Sequence, residues 1–213
     1  MSTEAEVDEP VESETDTALA AVALVVAGLL SDRGGESEDD WYPLLLPTVG
    51  PVLTHFLIST LRPMGRRLGR TEAEMWPVVR RQADVALRRA AEHLPGADVG
   101  PTSAYETDGG RLARAVVVGA REAARYDLAT KPESGVVYKV WRTRRDDRVR
   151  PTHGGLEGNQ VPLSSDFVTH NLNHLRYPGD PLAPISETAG CRCRVAYRSE
   201  EHTSELQSLA YLV

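Results

Sequence analysis

The run VVYKVW, Val136 to Trp141, decides the fold class. Its β-branched and aromatic residues, bounded by Gly135 and by the charges that begin at Arg142, read as a β-strand. The best-patterned segments before it carry apolar residues at the three- and four-residue steps of helices. The chain is therefore expected to be α+β: a mainly helical N-terminal half, with a helical region over 41–130, joined to a small C-terminal α+β module of a few strands over 131–197.

Working back from the strand, Leu112, Ala115, Val116, Gly119, Ala120, Ala123 and Ala124 fall on one side of a helix whose other side shows Arg111, Arg114, Arg121 and Arg125. Small residues at Gly119 and Ala120 are suited to close helix packing. Asp98–Gly110, rich in Gly, Pro, Ser and Asp, reads as a loop. Before it, Thr71 and Glu74 have the spacing of a capping box, and Met75, Val78, Val79, Ala83, Ala86, Leu87 and Ala90 continue as a helical stripe to a stop at Pro95 and Gly96. The opposite face carries Arg80, Arg81, Arg88 and Arg89, either a solvated face or a contact for phosphates or an acidic partner. Trp41–Leu61 is apolar but interrupted by Pro47, Gly50 and Pro51. It reads as short helices broken by turns and closed by Pro63.

Charge divides the chain. Overall it has 24 basic and 31 acidic residues in 213, a net −7. Residues 1–40 hold twelve acids and the single base Arg33, a balance of −11, whereas 41–197 are at +6. The average thus hides a mildly basic body behind an acidic leader. Met1–Asp16 has too little aliphatic surface to order itself. The thirteen-residue apolar run Ala18–Leu30 is shorter than the roughly 18–20 residues of a membrane span and lacks the positive flank of a signal peptide, so it reads as a buried or partner-docked helix, and no membrane association is expected. Ser31–Asp40 reads as a linker. The two cysteines, Cys191 and Cys193, are too close in sequence for an easy disulfide, and a reducing compartment is the default.

Beyond the strand the polar residues are dense. The chain carries Lys139-x-Trp141, then Asp147, Arg148, Arg150, His153, Leu156 and Gly158, then Phe167, the turn Tyr177-Pro178-Gly179-Asp180-Pro181, and Cys191-Arg192-Cys193. In this order and spacing they resemble the phage Mu F-like minor head, or head morphogenesis, family of tailed phages, over about residues 136–197. One departure is Gly190, where the family commonly has Asn before Cys-Arg-Cys. The resemblance implies a minor capsid protein that acts in procapsid assembly near the portal. It also implies phage portal and capsid proteins as partners, a location in the virion head interior or portal vertex, with host cytoplasm during assembly, and no enzymatic turnover.

Two chemical readings of these residues stand side by side. His153, Cys191 and Cys193 supply three soft or borderline ligands, with Asp147 as a fourth, a set compatible with zinc but without zinc-finger spacing. Alternatively Asp147, Arg148, Arg150 and His153 form a buried polar network tying the loop to a strand ending in Val195 and Tyr197. For catalysis His153 would be the base and a Cys or Asp its partner, but no Gly-flanked nucleophile or phosphate-cradling loop accompanies them. No cofactor other than the metal is expected.

Arg198–Ser208, RSEEHTSELQS, matches a common sequencing-library adapter translated in frame. Residues 198–213 are therefore expected to be an assembly artefact without fold or function, the native gene continuing beyond Tyr197. Two other functions compete with head assembly: non-specific binding of packaged DNA through Arg80, Arg81, Arg88, Arg89, Arg144, Arg145 and Arg148, and a carrier role for an effector domain.

Overall fold

The structure, a computed structural model, describes residues 17–18, 20–22, 38–93 and 108–199. The leader up to Asp16, most of the apolar run and linker, the stop at Pro95 and Gly96, most of the 98–110 loop and the tail from Glu200 lie outside the described residues. Of the apolar run, Ala18 and Val22, one helical turn apart, are buried in the core.

Four helices come first: α1 (Glu38–Thr48), α2 (Gly50–Arg67), α3 (Glu72–His93) and α4 (Asp108–Ala129). A 3₁₀ turn, Pro132–Ser134, leads into β1 (Val136–Arg142). Then follow α5 (Pro151–Gly154), β2 (Gln160–Pro162), β3 (Phe167–Val168), β4 (His174–Leu175), α6 (Ile185–Thr188) and β5 (Arg194–Ser199). The expected α+β layout, helical half first and small stranded module second, is the one observed.

Several boundaries move for physical reasons. The linker gives way to α1 at Glu38. The loop before α4 yields its last three residues, Asp108–Gly110, to that helix. Pro63 does not close α2, although it removes one N–H from the ladder. Leu61, Met64 and Gly65 around it are buried, so packing outweighs the lost bond. Gly65 abuts the Met75 side chain so closely that a Cβ there would collide with it. The helix ends at Gly69, whose φ of +65° permits the paired bonds Gly69 N–H to Arg66 O and Arg70 N–H to Gly65 O. The capping box of α3 forms as read: Thr71 N–H donates to Glu74 Oε2 at 2.7 Å and Glu74 N–H to Thr71 Oγ1 at 3.4 Å.

The largest departure is α4. Instead of one apolar and one arginine-bearing outer face, it is buried continuously from Val116 to Arg125. Helices α2 and α3 cover one side, and the C-terminal module covers the other. Arg121 and Arg125 are only 7% and 3% exposed, and both hold the fully buried Glu122, at 2.9 and 3.5 Å. Glu122 Oε2 in turn accepts the Val195 N–H of β5 at 3.0 Å. A helix carboxylate thereby occupies a donor on the edge strand of the three-stranded antiparallel sheet β2-β1-β5. Gly119, expected to admit another helix, admits a turn instead. A Cβ on Gly179 would lie 2.7 Å from Gly119 Cα, so the two backbones touch and lock the module to the helices.

Strand β1 is central, with Lys139 opposite Tyr197 and Trp141 opposite Val195 on β5. The pairing continues two residues past the expected native boundary, with Arg198 opposite Tyr138 and Ser199 opposite Val136. Backbone pairing is indifferent to which side chains it carries, so the first two residues of the adapter-like stretch complete a strand despite the expectation that they carry no fold. Strands β3 and β4 form a separate hairpin.

Among the described residues no single helix is long and apolar enough to cross a membrane. Helices α1 and α2 together have the length, but they are bent by 52° and bury Trp41, Leu45, Leu53 and Leu57 in the core.

Candidate metal centre

Four short segments converge under β1. Arg150 is extended, as a residue before proline must be, and Pro151 opens α5, which carries His153. After α6, Gly190 adopts φ +66° and turns the chain into Cys191-Arg192-Cys193, which leads directly into β5. That left-handed position is one that Gly and Asn both tolerate.

His153 Nδ1 is 3.5 Å from Cys191 Sγ and 3.6 Å from Cys193 Sγ. The three ligand atoms lie within 4.8 Å of one another, and all three residues are buried. The other ring nitrogen, Nε2, stands 3.1 Å from Glu187 Oε2, an ion-pair distance without the alignment of a full hydrogen bond. Glu187 also accepts from Thr152 Oγ1 and Asn173 Nδ2, each at 2.9 Å. Burial pushes its carboxyl up, but the bonds from Asn173 and Thr152 and the nearness of His153 and Arg150 outweigh that and hold it below the usual range. Arg150 donates to the Glu187 carbonyl and, at 2.5 Å, to that of Ala189, fixing the chain just ahead of the cysteines.

The two thiols are driven apart in acidity. Cys191 is drawn well below its ordinary pKa by the Cys193 S–H and by His153, while the neighbouring Cys191 and burial push Cys193 up. Trp141 closes the centre, edge-on to His153 at 5.1 Å and to Phe167 at 5.1 Å. Its buried indole N–H acts on Cys193 and offsets part of the upward push of burial on that thiol.

The remaining motif residues extend the same assembly toward α4. Lys139, fully buried, donates from Nζ to Arg176 O at 2.8 Å and lies over the Tyr126 and Phe167 rings. Asp180 receives both arms of Arg176, at 2.8 and 2.6 Å, and accepts the Leu182 N–H. Tyr177 packs on Tyr126 at 5.2 Å, Pro178 is buried beside it, and Gly179 meets Gly119. Gly158 supplies a left-handed turn at φ +75° before β2.

Asp147 and Arg148 are not part of this assembly. Both are exposed, so Asp147 is not the fourth ligand, and neither joins the buried network expected of them. The reason is local: Arg145 at φ +55° and the turn Asp146–Val149 carry this loop out to solvent, anchored by Arg145 to Glu157 and by Asp146 to Arg192. Glu187, Thr152 and Asn173 take the place of those residues. The one sequence signal for Glu187 is an acid four residues before the first cysteine.

Of the arginines considered for DNA, Arg81 pairs with Asp127 at 2.6 Å, Arg88 with Asp84 at 3.0 Å and Arg145 with Glu157 at 2.8 Å, while Arg89 reaches Ala183 O. An apolar groove with about 40 Å³ of space inside it runs between α3, α4 and the Pro181–Thr188 segment, and none of His153, Cys191 and Cys193 lines it. No protein-family model matches the chain, and neither the curated proteins nor the solved structures compared with it give a match.

Proposed function

We propose that this chain is a minor head protein of a tailed phage or prophage that acts in procapsid assembly near the portal, and that a zinc ion on His153, Cys191 and Cys193 holds its C-terminal module together. The observation that carries the reading is convergence. Lys139, Trp141, Arg150, His153, Phe167, Tyr177, Gly179, Asp180 and the two cysteines, ten of the residues that carry the family resemblance, come from separate segments of the sequence. They meet in one run of contacts from the cysteines to α4. Such an arrangement serves architecture. His153, Cys191, Cys193 and Glu187 are at most 4% exposed, so the Cys–His–Glu geometry offers a substrate no approach.

The distances favour a metal over a simple thiol–imidazole bond. An ion at about 2.3 Å from sulfur and about 2.0 Å from nitrogen, with a tetrahedral angle between them, places the two atoms roughly 3.5 Å apart. Here one nitrogen has two sulfurs at 3.5 and 3.6 Å. A neutral Nδ1 has one lone pair and cannot serve two S–H donors equally. Two thiolates and a neutral imidazole cancel the charge of a divalent zinc, which suits a dry site. When bound, the ion supplies a cross-link between α5 and the start of β5.

Two experiments test the two parts. Co-expression with the portal protein of the same phage should give co-purification that survives moderate salt, and clean separation would count against the assembly role. Metal analysis of protein purified without chelator should give one zinc per chain, lost in a His153→Ala, Cys191→Ser double variant. Metal-free wild type would remove the zinc.

A further inference from the structure

We infer that Glu187 is the positioning residue of this centre: it grips the far side of the His153 ring and so presents Nδ1 to the ion between the two sulfurs. The inference rests on the zinc reading above and deepens it. Glu187 itself is excluded as a ligand by geometry. Its Oε2 lies against Nε2, while both sulfurs lie against Nδ1, and the two nitrogens point away from each other across the imidazole. An ion held by Nδ1 and the sulfurs therefore has the whole ring between it and the carboxylate.

The carboxylate's effect on the ring is chemical as well as steric. A proton on Nε2 faces Glu187, which leaves the Nδ1 lone pair free and more basic, the arrangement in which a histidine binds metal best. Glu187 is itself fixed. Thr152 and Asn173 hold one carboxylate oxygen each, and Arg150 holds the Glu187 carbonyl. Thr152 stands next to His153 on α5, so ligand and positioner are tied twice between the same two short helices. Among the described residues, the other side-chain groups that act on the ligands include the Trp141 ring, edge-on to His153, its indole N–H and the Arg150 guanidinium at Cys193; none of them is an anion able to replace Glu187.

The test uses the full chain, reduced and freed of metal, titrated with Co²⁺ and then with Zn²⁺. The readouts are the thiolate-to-cobalt charge-transfer absorption and the affinity from competition. Compared with wild type, Glu187→Ala is expected to bind about 100-fold more weakly and Glu187→Gln, which keeps an acceptor for Nε2–H without the charge, about 10-fold. Asn173→Ala, which removes a bond to Glu187 but touches neither ring nor sulfur, is expected to stay within about threefold, well under the loss usual for an outer-shell carboxylate. A merely structural Glu187 would lower thermal stability in all three variants and leave affinity unchanged. If Glu187→Ala does not fold, Glu187→Gln decides alone, being isosteric. Wild-type affinity in both Glu187 variants overturns this inference and leaves the zinc reading standing. A wild type that binds neither ion overturns both.

Discussion

Replacing Gly179 by alanine tests the contact that joins the two halves of the molecule. Gly179 has φ +77°, and its Cβ would sit 2.7 Å from Gly119 Cα and 3.2 Å from Gly119 N, atoms of a helix backbone that cannot rotate away. Gly135 offers the matched control: its φ is +65°, but a Cβ there would meet nothing within 4 Å. Both substitutions incur the left-handed cost of an L-residue, about 1–2 kcal/mol. Only Gly179→Ala must also push α4 and the turn apart, which adds about 1–3 kcal/mol for an overpacked interior. Gly135→Ala should therefore lose about 1–2 kcal/mol and Gly179→Ala about 2–5 kcal/mol, the sum of the two effects. Urea unfolding of the full chain, followed by tryptophan fluorescence, measures both, with the slope checked so that a change in midpoint reports stability. The readout covers both halves of the molecule, since Trp141 lies in the module that the turn belongs to and Trp41 and Trp76 lie in the helices. A difference smaller than about 0.5 kcal/mol, the scatter of an ordinary surface change, would refute the claim that the backbones meet.

Three further outcomes follow from buried charge and from the capping box. Burial pushes Lys139 down from 10.5 to about 8, a gap worth about 3 kcal/mol. Between those values the unfolded chain holds a proton the folded chain has released, so stability should rise with pH across 8 to 10.5, the charging cost being fully present below 8. The wild-type minus Lys139→Met difference in urea stability should show that rise, and a flat difference would contradict it. Glu122→Gln keeps an acceptor for the Val195 N–H but removes the buried negative charge that Arg121 and Arg125 both face. It should destabilise by about 3–5 kcal/mol in thermal or urea unfolding, more than replacing Arg121, Glu122 and Arg125 together by apolar residues of similar volume. Thr71→Ala should cost about 1 kcal/mol by removing the α3 cap. Bonds from Thr71, the backbone N–H first and the hydroxyl second, lower the Glu74 carboxyl below 4.5, so the stabilisation it gives is present above that pH and lost as pH falls through the lowered value, a dependence that should shrink but persist in Thr71→Ala, which keeps the N–H.

Much of the local structure was legible because it depends on neighbours in sequence. The Thr71/Glu74 box and the stripe from Met75 to Ala90 define α3 without reference to anything else, and VVYKVW defines β1 by residue type alone. His153, Cys191 and Cys193 were also legible as a set, since few other side chains in the chain have that chemistry. The acid that joins them was not. Asp147 has the right chemistry, but a turn takes it outward, while Glu187 has no pattern of its own and arrives through α6. Likewise Arg121 and Arg125 read as surface residues because periodicity reports which face of a helix is apolar and is silent on what covers the other.

The sequence by itself determined the order of elements, the change from helix to strand at Gly135, the capped and amphipathic helix α3, the acidic leader beside a basic body, and the trio His153, Cys191 and Cys193. Each of these is a property of residue type and spacing over one or two turns of chain. Tertiary structure alone decided that α4 is enclosed on both sides, that Gly119 meets Gly179, that Glu122 occupies the edge of β5, and that Glu187 faces His153. Those are contacts between segments distant in sequence, settled by which surfaces can exclude water together and by which partners remain for the charges enclosed with them.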